Sequence, residues 1–442
     1  EGCEMLHAHL WPDTAAADEA GRLSLAGLPL ASLARDYGTP LYVFDEATIR
    51  AQCRTFRQAF AARWPQSAIA YASKAYLSPA LCQILLEEGL ELDVVSAGEW
   101  GLALAAGYPA AQMHLHGNFK PAAELAAALE AGLGRIVVDS QEELQQIDAW
   151  AAQRQQRVSL WLRLCPDVAA QTHRHLQTGH ADSKFGLSLA DGGAAEAAAR
   201  ASASPWLDLA GLHAHIGSHL SDLKPLEEML RVLGDFAAAT RERCGVTIRE
   251  ISPGGGLGVA ALPEEQTPDI EAYAEIVTAT LRKVVERHRL PPPKLVIEPG
   301  RAIIARAGVA LYTIGPRKTL PGGRVALAVD GGMGDNVRPA LYGAAYHAAL
   351  VERATAPASE RVRMVGRYCE SGDVLIDEAM LPPAQPGEIL AIPVSGAYQL
   401  PMASNYNLVP RPAVVFVRDG SARLVRRRER LDDLLRLDVP DP

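Results

Sequence analysis

The chain has 442 residues, of which 48% are hydrophobic and 21% charged, as in an ordinary globular protein of two or three domains. Its formal charge of −9 argues against a nucleic-acid-binding surface, and no apolar run approaches the ~20 residues of a transmembrane helix. The six cysteines show neither CxxC pairs nor metal-ligand spacing, which predicts a reduced, cytoplasmic protein. The first residues lack the basic and apolar regions of a signal peptide.

Short apolar runs alternate with helical segments between about residues 40 and 304. A strand-like run at 41–44 opens the series, and an acidic helix start follows it. Further strands are predicted at 69–72, 92–95, 113–115, 136–138, 159–164, 209–213, 250–252 and 294–297. About eight β-then-α units predict an α/β protein whose first domain, 40–304, is a (β/α)8 TIM-type barrel. A doubly wound open sheet is the alternative that fits the same pattern.

Helical periodicity fades after about residue 305. Apolar runs between Gly/Pro turns stand at 309–314, 325–329, 389–394 and 413–417. They predict a mostly β second domain, a sandwich or barrel-like fold built from residues 1–39 and 305–442. The polar, His-rich stretch 172–188 suits a lid or binding loop.

One lysine stands just after a predicted strand. In Tyr71-Ala-Ser-Lys-Ala75 the strand ends two residues before Lys74, and a helical segment follows. An amine held rigidly at the end of a strand suits a Schiff base with an aldehyde cofactor. Most lysines are solvated surface charges, so Lys74 gains meaning only from the segments that follow it.

Glycines and histidines follow two other predicted strands. Gly254-Gly-Gly-Leu-Gly258 comes after the strand at 250–252, and its bare backbone N–H groups can close on a phosphate, although a mobile turn fits equally.

His213-Ala-His-Ile-Gly-Ser-His219 places His213 and His215 on one side of a strand end. Three interpretations are open. The two histidines can be buried core residues, they can be a metal-binding pair, or one imidazole can stack on a planar cofactor whose phosphate is bound by Ser218. The absence of a third ligand at a supporting spacing disfavours the metal.

Glu298-Pro-Gly-Arg301 follows the apolar run 295–297 and forms a sharp turn. A carboxylate at this position can keep the pyridine nitrogen of pyridoxal phosphate (PLP) protonated, which makes the ring a strong electron sink. Arg301 can form a forked pair with a phosphate or a carboxylate. A structural salt bridge at the turn is the alternative.

The second domain carries a polar cluster, Cys369-Glu-Ser-Gly-Asp373. A thiol beside a carboxylate can donate a proton or act as a nucleophile, whereas an isolated cysteine is more often buried. The cluster is unusually polar for a core strand, which favours a site. Further hydroxyls, amides and a guanidinium stand in 336–342, which contains Arg338 and Tyr342, in Gly396-Ala-Tyr398 and in 402–407.

Together these segments resemble the alanine-racemase-like (fold type III) PLP-dependent decarboxylases, and most closely those that act on meso-diaminopimelate. The likeness runs in the same order from about residue 38 to about 435. The matching residues are Tyr71-Ala-Ser-Lys-Ala75, Leu92-Asp-Val-Val-Ser-Ala-Gly-Glu99, Gln177-Thr-Gly, Asp182-Ser-Lys-Phe-Gly186, His213-Ala-His-Ile-Gly-Ser218, Gly254-Gly-Gly256, Glu298-Pro-Gly-Arg301, Asp330-Gly-Gly-Met333, Arg338-Pro-Ala-Leu-Tyr342, Cys369-Glu-Ser-Gly-Asp373 and Gly396-Ala-Tyr398. Each motif alone is weak, but the ordered set is highly specific.

The resemblance implies PLP as the cofactor and a role for each matching residue. Lys74, as the Schiff-base lysine, and Cys369, as the proton donor, would be catalytic. The cofactor would be bound by Lys74, Asp93, His215, Ser218, Gly254, Gly255, Gly256, Glu298, Gly300, Arg301 and Tyr398. The substrate would be bound by Arg301, Arg338, Tyr342, Glu370 and Tyr398. Cys369 and Glu370 would reach the site from a partner subunit, which implies a homodimer with shared active sites, and no metal, nucleic acid or membrane partner is expected.

The implied reaction is decarboxylation of meso-2,6-diaminopimelate to L-lysine and CO2, the last step of lysine biosynthesis. A related decarboxylase for D-ornithine, D-lysine, carboxynorspermidine or a carrier-bound amino acid is the main alternative. A racemase is disfavoured by the carboxylate of Glu298, and a non-catalytic PLP carrier by the second domain. Departures from the family pattern at Ala214, His219 and Ser252-Pro253 affect the phosphate side of the site and leave the substrate arginines intact.

Overall fold

The computed structural model describes residues 7–166, 184–220 and 222–439. The chain divides into two compact units, a first unit of Gln52–Gly258 and Pro268–Gly300 and a second unit of Glu1–Ala51, Val259–Thr267 and Arg301–Pro442. The predicted domain boundaries at 40 and 304 therefore differ from the observed ones. Most of the predicted lid at 172–188, with Gln177-Thr-Gly and Asp182-Ser, lies outside the described residues.

The first unit contains a closed barrel of eight parallel strands. They are Ser67–Ala72, Glu91–Val94, Met113–Leu115, Arg135–Val138, Val158–Cys165, Leu207–His213, Glu250–Ser252 and Lys294–Ile297. Each strand pairs with the next, and the last pairs with the first, so that the sheet closes. This confirms the predicted (β/α)8 barrel and excludes the open sheet. A short strand, Leu187–Ser188, adds to the end of Val158–Cys165.

Helices connect the barrel strands, and several begin at a capping side chain. The helices of the first unit are Pro79–Glu87, Ala97–Ala105, Ala122–Glu130, Gln141–Arg154, Gly193–Ala203, Lys224–Cys244 and Ile270–His288, while Glu46–Arg63 crosses the unit boundary. Ser78, Ser96 and Ser140 each accept a hydrogen bond from a backbone N–H in the first helical turn, which satisfies an otherwise unpaired donor. Among the described residues, no helix combines the length and apolarity needed to cross a membrane.

Side chains fill the barrel interior. Ala70, Val137, Trp161, Ala210 and Val296 form a buried apolar cluster. Near the amino-terminal end of the strands, the carboxylate of Glu250 accepts hydrogen bonds from Arg135 Nε at 2.7 Å and from Trp161 Nε1 at 2.6 Å. This end is occupied by packing and ion pairing, which leaves the opposite end for a site.

The second unit is built mainly on a nine-stranded sheet. In spatial order seven strands are Val374–Leu381, Glu360–Val365, Val325–Val329, Gly308–Thr319, Leu41–Asp45, Ala413–Arg418 and Ser421–Arg426, and Ile389–Ile392 pairs with both Gly308–Thr319 and Ala349–Leu350. A separate small sheet contains Ala16–Ala17, Leu23–Leu25 and Leu28–Pro29. The helices are Leu30–Tyr37, Arg301–Ile304, Arg338–Tyr342 and Leu431–Leu435, with 3-10 turns at Ala8–Leu10, Leu400–Met402 and Tyr406–Leu408.

One predicted strand belongs to a different sheet from the one expected. The sequence pattern places 41–44 at the start of the β/α series, but Leu41–Asp45 pairs antiparallel with Gly308–Thr319 and parallel with Ala413–Arg418. Every residue of Leu41–Asp45 is buried. A fully buried strand followed by a helix has the same pattern in either sheet, so the sequence alone does not identify its partners.

Candidate active site

Each of the eight barrel strands has a polar residue at or just beyond its carboxyl end. In chain order these residues are Lys74, Asp93, His116, Asp139, Arg163, His213, Ser252 and Glu298. Because the strands are parallel, all of their carboxyl ends lie at one end of the barrel, where active sites of this fold are found. The fold thus brings the predicted residues Lys74, Asp93 and Glu298 to the same end.

The carboxylate of Glu298 is buried and held from three directions. Its Oε2 lies 2.9 Å from His213 Nε2, its Oε1 accepts a hydrogen bond of 2.8 Å from Ser252 Oγ, and His116 Nε2 lies 3.5 Å from Oε1. Burial alone would raise the pKa of Glu298, but the two histidines and the hydrogen bonds outweigh it and hold the pKa well below its usual value. Glu298 is therefore an anion, and its Oε2 accepts a hydrogen bond from His213 Nε2.

The same contacts also bring potential metal ligands close together. Sequence spacing shows no third ligand beside His213 and His215, but the fold places ligand atoms of His116, His213 and Glu298 within 4.8 Å of one another. The hydrogen bond between His213 Nε2 and Glu298 Oε2 joins two of these groups directly, without an ion. That the site holds no metal stays a prediction.

Three buried polar atoms around Glu298 have no hydrogen-bond partner among the described residues. They are Asp93 Oδ1, His116 Nε2 and His213 Nδ1. Burial raises the pKa of Asp93 to about 7, although the nearby Lys74 opposes the shift. Unsatisfied buried polar groups cost stability, so their concentration at one barrel end indicates a polar ligand.

The glycines after Glu250–Ser252 form a closely packed turn. A Cβ on Gly255 would lie 1.9 Å from the Glu298 carbonyl oxygen, and one on Gly256 would lie 2.2 Å from the Gly217 carbonyl oxygen. Only glycine permits this approach, and Gly254 has a φ of +72°, a conformation that glycine adopts readily. Such a bare backbone turn at the carboxyl end of a barrel strand suits a phosphate.

Two further predicted residues lie on the segment that packs against these glycines. His215 and Ser218 are half-buried, and a Cβ on Gly254 would lie 2.7 Å from His215 Nδ1. Burial and nearby cations lower the pKa of His215 well below its usual value, so its ring is neutral and suited to stacking. An amine, a glycine turn, a neutral imidazole and a buried carboxylate fit a PLP ring with its phosphate.

The predicted substrate-binding residues of the second unit form an arginine group. The guanidinium carbons of Arg301 and Arg338 lie 4.9 Å and 5.7 Å from the centre of the Tyr398 ring, and Arg338 lies 5.2 Å from that of Tyr342. Burial and the nearby Arg338 lower the pKa of Arg301 to about 10. The Nε of Arg338 donates a hydrogen bond of 3.1 Å to Tyr346 Oη. Two neighbouring cations around an aromatic ring suit a carboxylate ligand.

The backbone of Tyr398 is strained. Its φ of +60° lies in the left-handed region, which a bulky residue rarely adopts. Strain of this kind persists where the surrounding structure imposes it, often at functional sites.

Cys369 and Glu370 are exposed on the loop between Glu360–Val365 and Val374–Leu381. In the part of the chain that the structure describes, no hydrogen bond or ion pair joins either residue to Arg338 or Tyr342. Gly300 is buried at the turn after Glu298. The roles assigned to these residues stay predictions.

The structure adds residues that the sequence pattern did not single out, and it shows that Ser252, expected to affect the phosphate side of the site, donates a hydrogen bond to Glu298. His116 and Ser252 contact Glu298, Tyr346 contacts Arg338, and the buried Arg163 lies 3.8 Å from Asp139 and 4.4 Å above the Phe185 ring. His116, Arg163 and Ser252 share one signal, a polar residue at the end of an apolar strand. Tyr346 has no such signal, because its contact with Arg338 depends on the tertiary fold and not on a position at the end of a strand.

Comparisons with known proteins agree with this geometry. Residues 46–305 match the family model described as "Pyridoxal-dependent decarboxylase, pyridoxal binding domain". The chain is 45% identical over 436 residues to a diaminopimelate decarboxylase of Actinosynnema pretiosum subsp. auranticum, covering 98% of this chain and 96% of the relative. A diaminopimelate decarboxylase of Bacillus subtilis is 40% identical, with 97% of each chain covered. The crystal structure of diaminopimelate decarboxylase from M. jannaschii in co-complex with L-lysine has a TM-score of 0.90 and 32% identity, covering 97% of this chain and 98% of that one.

The buried carboxyl of Asp93 predicts a distinctive dependence of stability on pH in the cofactor-free protein. Its folded-state pKa of about 7 exceeds the ~4 of an unfolded chain, so the folded protein keeps a proton that the unfolded chain releases between these values. Asp93 therefore contributes a loss of stability as pH rises from about 4 to about 7, and Asp93→Asn lacks this contribution.

Thermal unfolding midpoints of the parent and Asp93→Asn between pH 4 and 8 measure this effect. We expect the variant to gain stability relative to the parent as pH rises. Glu19→Gln, at an exposed position, is the control and should follow the parent. Parallel curves for Asp93→Asn and the parent would contradict the assignment.

Proposed function

Because the chain belongs to the family of pyridoxal-dependent decarboxylases, we propose that it removes CO2 from meso-2,6-diaminopimelate and releases L-lysine, the last step of lysine biosynthesis. The observation that carries this proposal is the buried anionic carboxylate of Glu298 at the same barrel end as Lys74. A carboxylate favours decarboxylation over racemisation, because it keeps the cofactor ring protonated.

Most of the groups that would hold PLP lie in the first unit. When bound, PLP withdraws electrons from Cα of the substrate, which lets the carboxylate leave as CO2. Lys74 would hold the cofactor covalently, and Glu298 would keep a proton on the pyridine nitrogen. His215 would contact the ring face. The phosphate would be bound by Ser218, Gly254, Gly255 and Gly256, while Asp93, Gly300, Arg301 and Tyr398 complete the proposed cofactor set.

The second unit supplies the groups for the substrate. Meso-diaminopimelate carries two carboxylates and two ammonium groups, and Arg301, Arg338, Tyr342 and Tyr398 would bind a carboxylate. Glu370 would bind the distal ammonium, and the Cys369 thiol would deliver a proton to Cα after CO2 leaves. Leaving a buried group such as Arg338 without its carboxylate costs ~1–3 kcal/mol, which would disfavour ornithine and lysine as substrates.

We further propose a homodimer in which Cys369 and Glu370 serve the site of the partner subunit. Both residues are exposed in the single chain, although the loop that carries them is fixed by hydrogen bonds of its backbone. A reactive pair on an ordered, exposed loop is suited to acting on another chain. A reduced, cytoplasmic environment stays a prediction from the cysteine pattern.

The product formed from meso-diaminopimelate tests the proposed reaction. The PLP-reconstituted protein should release CO2 and L-lysine from meso-diaminopimelate, and far less CO2 from D-lysine, L-lysine or ornithine, because these lack the second carboxylate. Chromatography of the products with CO2 trapping measures both. A preference for another amino acid of the panel would instead assign the protein to a related decarboxylase.

Replacement of Lys74 should abolish covalent cofactor binding. We expect Lys74→Ala to lose the visible absorbance of PLP joined to the protein, because no other amine would occupy the same position. The spectrum of the reconstituted protein, before and after borohydride reduction, is the measurement. Lys224→Ala, an exposed lysine of the same unit, is the control and should keep the absorbance. A retained chromophore fixed to a different lysine would refute the role of Lys74.

Replacement of Cys369 should separate cofactor binding from turnover. We expect Cys369→Ala to keep the PLP absorbance and to lose about 10²–10⁴-fold in kcat, the range that a positioned proton donor contributes. Cys244→Ala, at the end of Lys224–Cys244, is the matched control and should retain the parent rate. Parent-like turnover in Cys369→Ala would mean that the proton comes from another group.

A further inference from the structure

The loop that carries Cys369 exposes its side chains but has a fixed backbone. The N–H of Cys369 donates a hydrogen bond of 2.9 Å to Asn407 Oδ1, and the carbonyl oxygen of Cys369 accepts one of 3.3 Å from Tyr406 Oη. Both polar backbone groups of a single exposed residue are thus held by side chains of the Tyr406–Leu408 turn. An exposed loop without a positional role has no need of such contacts, because water satisfies its backbone.

The turn that holds Cys369 is itself strained. Asn407 has a φ of +52° and Leu408 a φ of +55°, so two consecutive non-glycine residues lie in the left-handed region. Asparagine tolerates this conformation, whereas leucine rarely adopts it. Asn405 secures the turn, since its Nδ2 donates to Glu429 Oε2 at 2.6 Å and to the Val409 carbonyl oxygen at 3.1 Å. Strain that the surrounding contacts maintain points to a functional constraint.

The residues on either side of Cys369 are fixed as well. The carboxylate of Asp373 accepts hydrogen bonds from the backbone N–H of Tyr368 at 2.8 Å and of Met333 at 2.6 Å. The ring of Tyr368 stacks on that of Tyr406, with centroids 6.1 Å apart and an angle of 21° between the planes. The peptide of Cys369 is therefore held between two anchored segments, while its thiol is exposed.

We propose that Asn407 is the positioning residue for the Cys369 thiol, with Tyr406 as its second support. The amide oxygen of Asn407 fixes the peptide of Cys369, which sets the direction in which the side chain leaves the backbone. This inference rests on the proposed function, in which the S–H bond of Cys369 breaks, a C–H bond forms at Cα of the substrate, and solvent returns a proton to sulfur. Small displacements of a reacting group cost large factors in rate.

Two substitutions at position 407 separate positioning from general stability. Asn407→Gly keeps the left-handed backbone but removes the acceptor, whereas Asn407→Asp keeps an acceptor oxygen in place. In the PLP-loaded enzyme we expect Asn407→Gly to lose about tenfold or more in kcat, with little change in KM or in the cofactor absorbance. Asn407→Asp should stay within about threefold of the parent kcat, because its carboxylate accepts the same hydrogen bond.

Thiol chemistry gives a readout that does not depend on activity. The rate of iodoacetamide alkylation of Cys369 in the loaded enzyme, measured by peptide mass spectrometry against Cys244, should rise at least about threefold in Asn407→Gly, because the loop loses its anchor. The rate in Asn407→Asp should match the parent.

Parent-like kcat and alkylation in Asn407→Gly would overturn the inference, as would an Asn407→Asp enzyme as impaired as Asn407→Gly. If the proposed reaction were wrong, the parent enzyme itself would release no L-lysine. The alkylation rates would still test whether Asn407 positions the thiol.

Discussion

Closure of the parallel barrel is the constraint on which the cofactor site depends. The strand Lys294–Ile297 pairs with Ser67–Ala72, so the first and last strands of the barrel become neighbours. Lys74 and Glu298, which are far apart in the sequence, follow these two adjacent strands. Parallel strands cannot pair without placing all of their carboxyl ends together. A single end of the barrel thus collects polar residues from every strand.

Removing these polar groups from water costs stability, and the structure shows how the cost is only partly offset. The anion of Glu298 is stabilised by His213 and Ser252, but Asp93, His116 and His213 each retain a buried atom without a hydrogen-bond partner among the described residues. A core evolved for stability alone would fill this volume with apolar side chains. Incomplete pairing of this kind is typical of functional sites, which give up some stability for their chemistry.

The second unit holds its polar groups in two different ways. Arg338 is buried, Arg301 is half-buried, and both guanidinium groups lie near the Tyr398 ring, where burial and the nearby Arg338 lower the pKa of Arg301. The loop with Cys369 and Glu370 is instead exposed, and its rigidity comes from backbone hydrogen bonds and from the strained turn at Asn407. The arginines thus form a cationic group around an aromatic ring, and the loop holds the backbone of Cys369 in a fixed position.

Local features could be predicted from the sequence alone. The eight barrel strands follow from hydrophobic periodicity. The lysine at 74, the glycine turn at 254–256 and the carboxylate at 298 follow from the special geometry of each residue type. Tertiary structure alone decided which sheet Leu41–Asp45 joins and which side chains hold the functional ones. His116 reaches Glu298, Tyr346 reaches Arg338 and Asn407 reaches Cys369 only after folding. A sequence pattern records whether a residue is buried and how its backbone runs, but pairing partners depend on distances that exist only once the chain has closed on itself.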